Sequence, residues 1–406
     1  MPVKQNESNA DFGNSTNKMI INGTLYSQPA VIKRLYTKPD ESDKSIAAIV
    51  NNLMNELVVN ISSGAIKKDG IYAVGNHASL TSSTSDNMNI RLGNKHKHDI
   101  PVVMTLAMQA AHEVQNYYSA HNELPDTIEV NGSLAGSIPA SEWNPTKAKI
   151  LEKRFTGNTH VVTVYIGKKS VVVTLKYTKS KVTQEGLTGL YGFVFWKSPK
   201  KDATEKIESP HILSKFRETY ADKPELLKLT PRDFATKKGL LVDIGSGTVE
   251  LIHTHGLNPV LENCDGKKHG VGHAAEAAAK LLTEETQGYL EINRQRFDQI
   301  LQDPKDNLYK MATSFMEEAQ YGEANNILVA MQDHYSKIGG DIEFIMVFGG
   351  GSITFEPDLY EEAKEFADAV HCLLVWIPGE YAVNLNVHGL DILHKKVLFQ
   401  EAGVEG

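Results

Sequence analysis

The sequence predicts an α/β protein with more than one domain. Strand-length apolar and β-branched runs are mixed with helix-period segments along all 406 residues. Two apolar runs lead straight into glycine-rich turns: Leu240-Leu241-Val242-Asp243-Ile244-Gly245-Ser246-Gly247-Thr248 and Phe344-Ile345-Met346-Val347-Phe348-Gly349-Gly350-Gly351-Ser352. A third turn, Asp11-Phe12-Gly13-Asn14-Ser15-Thr16-Asn17-Lys18, lies near the start. The chain is also longer than one ordinary core organises, so two domains are expected.

The elements follow in order. Lys18 to Tyr26 reads as a hairpin turning at Asn22-Gly23. Ser45 to Val58 is expected to be an amphipathic helix, and Pro101 to Tyr118 a second one with proline in its first turn. Thr127 to Val130 reads as a short strand and Asn144 to Arg154 as a helix. Thr159 to Ile166 and Ser170 to Tyr177 are β-branched runs separated by Gly167-Lys168-Lys169, a hairpin pattern. Leu187 to Trp196 is apolar and glycine-containing, as a buried helix crossing between two halves would be. Ser198 to Lys238 turns charged and proline-bearing, which predicts a surface insertion with one or two helices, or a mobile loop. Beyond it come the second glycine turn, a strand over Val249 to His253 and a mostly helical stretch from His273 to Ile338. After the last glycine turn the pattern predicts a helix starting beyond Pro357, a strand near Cys372 to Ile377 and a helix after Gly389.

Composition narrows the function. Hydrophobic residues make up 41% and charged residues 23%, the balance of a globular chain. The formal net charge of −8 argues against a protein that coats DNA directly, which needs a basic excess. Cys264 and Cys372 are the two cysteines and have no metal-ligand spacing, consistent with a reduced cytoplasmic setting. The first ten residues carry no apolar signal segment, and no run approaches a membrane span, so no membrane role is expected.

The glycine turns carry the chemistry. Glycines let backbone N–H groups approach phosphate oxygens closely and tolerate positive φ. An Asp at the end of a buried strand is aimed by a rigid element and can hold Mg²⁺ directly or through water. Ser15, Ser246 and Thr248 add small donors, and Lys18 a point charge. Taken alone, Asp11 to Lys18 reads equally well as a surface hairpin turn, and the residues before it are polar for a buried strand. Other signals fail. Gly167-Lys168-Lys169-Ser170 lacks the upstream glycine of a P-loop. Gly270-Val271-Gly272-His273 imitates a dinucleotide fingerprint but follows Lys267-Lys268-His269 rather than an apolar strand, although its glycines still let a helix N-terminus approach a phosphate. His96 with His98, and His269 with His273, have metal spacings that no Cys or carboxylate cluster completes, and read as solvated histidines.

In number and order, the three turns resemble the phosphate 1, phosphate 2 and adenosine motifs of the actin-like ATPase superfamily, which also holds Hsp70 and sugar kinases. The likeness is greatest to bacterial plasmid-segregation actins of the ParM type from Gram-positive plasmids. Ala73-Val74-Gly75-Asn76, Ser137-Ile138-Pro139 and Asn386-Val387-His388-Gly389-Leu390 are similar to smaller pieces of that pattern. The resemblance implies a two-domain actin-like fold, each domain a sheet flanked by helices, with ATP or ADP and Mg²⁺ in the interdomain cleft. Domain I would take residues 1–183 plus 386–406, and domain II 184–385. Asp11 and Asp243 would face the metal. Gly13, Asn14, Ser15, Thr16 and Lys18 would hold one side of the phosphates, and Gly245, Ser246, Gly247 and Thr248 the other. Gly349, Gly350, Gly351 and Ser352 would lie along the adenosine. Gln184 or Glu185 would orient the attacking water, with Asp243 completing the catalytic set. The resemblance further implies an ATPase that polymerises with itself and segregates plasmid DNA through a small DNA-binding adaptor, touching the DNA only indirectly. The alternatives are a small-molecule kinase of the same superfamily and a nucleotide-dependent scaffold that does not hydrolyse.

Overall fold

Strands fall into two sheets, one in each of two units of the computed structural model, which describes residues 4–39, 43–81, 86–87, 94–196 and 211–399. The first unit comprises 1–138, 142–184 and 390–406 of the sequence, and the second 139–141 and 185–389. The divisions thus fall after Gln184 and after Gly389, against the expected 183 and 385.

The first unit is built on β1 (Lys4–Phe12), β2 (Thr16–Ile21), β3 (Thr24–Pro29), β4 (Val31–Leu35), β5 (Val58–Ser62), β6 (Gly70–Val74), β7 (Asp86–Asn87), β8 (Thr127–Ile138), β9 (Thr159–Ile166) and β10 (Lys169–Gln184). Their order in the sheet is β3-β2-β1-β8-β10-β9-β5-β6-β4-β7. The β1–β8 and β8–β10 pairs are parallel. The β2–β3 hairpin turns at Asn22-Gly23, both at positive φ (49° and 85°), as a tight hairpin with matching twist requires. The helices are α1 (Ile46–Asn51), α2 (Asn76–Thr81), α3 (Ile100–His121) and α4 (Pro145–Thr156). Ser45 and Asn144 cap α1 and α4 through side-chain oxygens. The helix expected over Ser45 to Val58 is corrected: it stops at Asn51, and Val58 opens β5, whose Val58, Val59 and Ile61 are buried. β8 and β10 are also longer than the apolar pattern indicated, because their far halves are polar or small.

The polar β1 has a specific explanation. Ser8 and Asn6 meet Gln109 and Glu113, one helical turn apart on α3, in buried side-chain hydrogen bonds. On the other face, Asn9 donates to Asp391 (2.8 Å) and accepts from His394 Nδ1 (2.7 Å). A central strand normally excludes water with apolar side chains; here paired polar groups do so, which avoids the cost of leaving them unsatisfied.

The second unit holds β11 (Lys238–Ile244), β12 (Val249–His255), β13 (Asn258–Lys267), β14 (Phe344–Phe348) and β15 (Leu373–Trp376), ordered β13-β12-β11-β14-β15. β11, β14 and β15 run parallel. Alternation places Leu240, Val242, Ile345 and Val347 in one core and Leu241, Phe344, Met346 and Phe348 in another, one on each face of the sheet. The first core packs α7 (Val271–Glu285), α8 (Arg294–Gln302), α9 (Tyr309–Lys337) and α10 (Gly350–Ala369). The second packs α5 (Leu187–Val194), α6 (Ser214–Thr219) and α11 (Gly379–Ala382). α12 (Leu385–Leu393) continues into a π-helical turn over His394–Leu398.

Three further expectations are corrected. The helix placed beyond Pro357 starts at Gly350, and Pro357 lies inside it. The helix placed after Gly389 starts at Leu385: a Cβ on Gly389 would stand 1.7 Å from the Thr188 carbonyl oxygen, so this glycine serves close packing rather than helix termination. Of the charged insertion, 197–210 lies outside the described residues; the rest packs onto the sheet through Ile212, Leu213, Phe216, Tyr220 and Phe234, all at most 1% exposed, and is not a surface appendage.

Candidate functional site

In the first unit the expected residues gather at the carboxyl ends of three parallel strands. The register aligns Asp11 with Ser137 and Ser137 with Thr183, each one residue before the ends of β1, β8 and β10 at Phe12, Ile138 and Gln184. Ligands of α/β sheets bind outside such ends. Asp11 is buried; it accepts from the Ser137 hydroxyl (3.3 Å), and Lys18 Nζ lies 3.8 Å from its other oxygen. Gly13, Asn14, Ser15 and Thr16 form the turn between β1 and β2 and are all half-buried. A Cβ on Gly13 would come within 2.2 Å of the Thr16 carbonyl, so only glycine closes this turn. Gln184 is 3% exposed, and its Oε1 has no partner among the described residues. Glu185 is half-buried and has an interaction partner of its own.

In the second unit Asp243, the last residue but one of β11, pairs with Phe348 at the end of β14, which brings the second and third glycine turns next to each other. Gly349 has φ +92°, and a Cβ there would stand 2.4 Å from Asp243 Oδ1 and 2.5 Å from the Ile244 carbonyl. A Cβ on Gly351 would meet Ile244 Cγ2 at 2.5 Å and the Gly245 carbonyl at 3.0 Å. Gly350 is exposed with open space beside it. Ser352 is fully buried and donates to the Gly349 carbonyl (2.8 Å), closing the first turn of α10. The Gly245 N–H donates to the Thr248 carbonyl (2.9 Å), which fixes the β11–β12 turn.

Several participants were not picked out from sequence. Asn386 donates to Asp243 Oδ2 (2.7 Å) and accepts from the Gly186 N–H (3.1 Å) and the Thr188 hydroxyl (2.8 Å). It thereby ties the carboxylate to the start of α5. The Gly270-Val271-Gly272-His273 segment does serve this site. Gly272 N–H donates to the Ser246 carbonyl (2.8 Å), and His273 Nε2 to the Gly247 carbonyl (3.0 Å). Arg294 donates to Ser246 Oγ (3.1 Å). Glu323 accepts from the Gly270 N–H (2.8 Å) and holds the entry to α7. His269 and His273, read as solvated, are half-buried and hydrogen-bonded. The signal was the glycine spacing at 270 and 272; Asn386 stood in a segment noted for its resemblance but was given no role, and Arg294 had no signal.

Two long helices, α7 and α10, therefore start against the same turn, Gly245 to Thr248, with a guanidinium at its edge. Helix N-termini carry partial positive charge and suit anions. The Asp11 and Asp243 carboxylates supply the hard oxygen donors that Mg²⁺ prefers. The orphaned Gln184 oxygen suits a water. Taken singly, each unit presents a glycine turn suited to a phosphate beside a carboxylate suited to a divalent cation. A separate cavity of about 850 Å³ lies in the first unit, lined by Lys33, Arg34, Lys67, Lys68 and Asp99 among others, and includes none of the glycine turns.

Comparison with known proteins agrees with this geometry. A family model described as "Archaeal actin homologue MreB-like, C-terminal" matches residues 241–361. No curated protein matches the sequence. Among solved structures, the actin-like protein Alp7A is similar at 17% identity and TM-score 0.65, over 97% of this chain and 96% of that one. A 15-stranded ParM filament from Clostridium botulinum is similar at 15% identity and TM-score 0.64, over 97% and 99%. Bacillus thuringiensis ParM with ADP is similar at 14% identity and TM-score 0.58, over 96% and 98%. The chain has the actin-like fold. No helix among its described residues is long and apolar enough to cross a membrane.

Proposed function

We propose that this chain is an actin-like ATPase that assembles into filaments with ATP. The observation that carries the reading is the pair of buried carboxylates, Asp11 and Asp243, each at a strand end beside a turn that only glycine can close. The ParM structures that resemble it include complexes with ADP, AMPPNP and ATP, and one filament.

In this reading Gly13, Asn14, Ser15, Thr16 and Lys18, together with Gly245, Ser246, Gly247 and Thr248, hold the phosphates. Gly349, Gly350 and Gly351 pass along the nucleoside, and Ser352 supports their turn from below. Asp11 and Asp243 would hold Mg²⁺, directly or through water, and the ion would neutralise phosphate charge. Asn386 keeps Asp243 aimed. Gln184 Oε1 accepts a hydrogen bond from water and orients it for attack, the role its unsatisfied oxygen suits; Glu185 flanks it. Positioning of this kind acts on the transition state more than on binding.

The test is phosphate release and light scattering on the same Mg-ATP samples. Wild type is expected to show both. Asp243→Asn is expected to lose turnover with the fold intact, and Gln184→Ala to slow turnover while nucleotide binding persists, so that filaments outlive those of wild type. Turnover without assembly would favour a kinase, and assembly without turnover a scaffold. Plasmid segregation extends the proposal on the likeness to ParM, and the net charge of −8 favours a small basic DNA-binding adaptor over direct DNA contact. Co-sedimentation checks it: DNA pelleted tightly by ATP filaments of this chain alone, at near-physiological salt, refutes the adaptor.

A further inference from the structure

β12 carries its two histidines at the end remote from the glycine turn. His253 and His255 are two residues apart, hence on one face of the strand, with ring centroids 4.9 Å apart. Along the strand they stand roughly 16–23 Å from the Gly245–Thr248 turn, at about 3.3 Å per residue. Asp341, in the link between α9 and β14, faces both. His255 Nε2 lies 3.2 Å from Asp341 Oδ2, and one donor atom from each of the three side chains lies within 4.8 Å of the others. We propose that His253, His255 and Asp341 form a binding site for a divalent transition-metal ion of the zinc class, separate from the nucleotide site.

Two imidazoles and one carboxylate are three of the ligands a tetrahedral zinc site uses, with water in the fourth position. At zinc–ligand distances of about 2.0–2.1 Å, neighbouring donors stand about 3.3 Å apart. The His255–Asp341 separation already has this value, and closure requires that the His253 ring turn toward them and exchange a present hydrogen bond for the metal. His253 is 2% exposed, with Nε2 donating to the Asp341 backbone carbonyl (3.0 Å) and Nδ1 beside Asn263 Nδ2 (3.1 Å). His255 and Asp341 are partly exposed and give the ion a path in. His334, buried behind them, donates to the Asn263 carbonyl (3.0 Å) and fixes the segment that carries Asn263.

One group opposes binding. Lys238 Nζ pairs with Asp341 Oδ1 at 2.6 Å, so a metal must share this carboxylate with an ammonium. Removing that charge should tighten the site, a behaviour that scattered surface histidines do not share.

The experiment titrates Zn²⁺ into the chelator-treated full chain by calorimetry and records the visible absorption of the Co²⁺ form. One ion per chain is expected, with the intense bands of a tetrahedral site. His255→Ala and Asp341→Ala should each weaken binding at least about tenfold, and Lys238→Met should tighten it. Circular dichroism verifies that each variant is folded; His255→Gln replaces His255→Ala if the latter is not. No saturable binding by wild type, or affinity unchanged in folded His255 and Asp341 variants, overturns the proposal.

Discussion

Replacing Asn386 with Ala should destabilise the second unit by several kcal/mol, although the residue belongs to no apolar core. Its amide holds three groups at once: Asp243 Oδ2 at 2.7 Å, the Gly186 N–H at 3.1 Å and the Thr188 hydroxyl at 2.8 Å. Asn386 is 9% exposed and Asp243 7%, so water does not readily replace the lost partners. A hydrogen bond to a buried charge contributes about 1.5–3 kcal/mol, and each stranded neutral donor costs about 1 kcal/mol or more. The total is about 3–5 kcal/mol, or a Tm lower by roughly 10 °C for a unit of this size. Urea unfolding followed by tryptophan fluorescence reports on it, since Trp196 and Trp376 of the three tryptophans lie in this unit. A double-mutant cycle with Asp243→Ala isolates the charged bond and should show a coupling of about 1.5–3 kcal/mol. A loss below about 0.5 kcal/mol, or equal losses in both Asp243 backgrounds, would refute the reasoning.

The adjacent glycines give a matched pair of predictions. Gly351→Ala places a methyl 2.5 Å from Ile244 Cγ2 and 2.9 Å from the Ile244 carbonyl and should cost about 1–3 kcal/mol in denaturation midpoints, whereas Gly350→Ala meets nothing within 4 Å and should cost nothing. Equal losses at both positions would contradict the close packing of this turn against β11. Acid should destabilise the fold well before its carboxylates protonate. Burial lowers the pKa of His160, His253, His334 and His394, only partly offset by nearby acceptors and carboxylates. Their stabilisation is complete above the unfolded histidine value of about 6.5 and is lost as pH falls toward the folded values, with a slope of up to about 1.4 kcal/mol per pH unit for each. Urea midpoints that stay flat between pH 7.5 and 5.5 would show that these rings are not held neutral.

Much of the second unit was legible because its physics is local. Leu240 to Ile244 and Phe344 to Phe348 are buried on both faces, so they read as continuous apolar runs, and their glycine turns follow at once. The first unit was harder. β1 has no apolar run to read, because the groups that satisfy Asn6, Ser8 and Asn9 are supplied from Gln109, Glu113, Asp391 and His394, about a hundred to nearly four hundred residues away. Breakers misled in the second unit. Pro357 and Gly389 read as helix boundaries, yet one sits inside α10 and the other is required where α12 approaches the Thr188 carbonyl.

The same distinction divides the candidate site. Residues that a phosphate would touch through backbone were marked by glycine, since the backbone needs glycine to make those turns. Residues that hold the turns in place were not marked, because an Asn, an Arg or a Glu is common anywhere in a chain. Asn386, Arg294 and Glu323 enter only when the fold brings them to Asp243, Ser246 and Gly270. The dinucleotide-like Gly270-Val271-Gly272-His273 lies between these cases. It was correctly refused as a Rossmann fingerprint for want of a preceding apolar strand. Its glycines are still needed, because Gly270 and Gly272 bring α7 against the Gly245–Ser246 backbone, where a Cβ would stand 2.5 Å and 2.8 Å from carbonyl oxygens. A glycine pair that fails one motif can therefore report another close approach. The question for sequence is which backbone it must approach, and here that backbone belongs to the turn after Asp243.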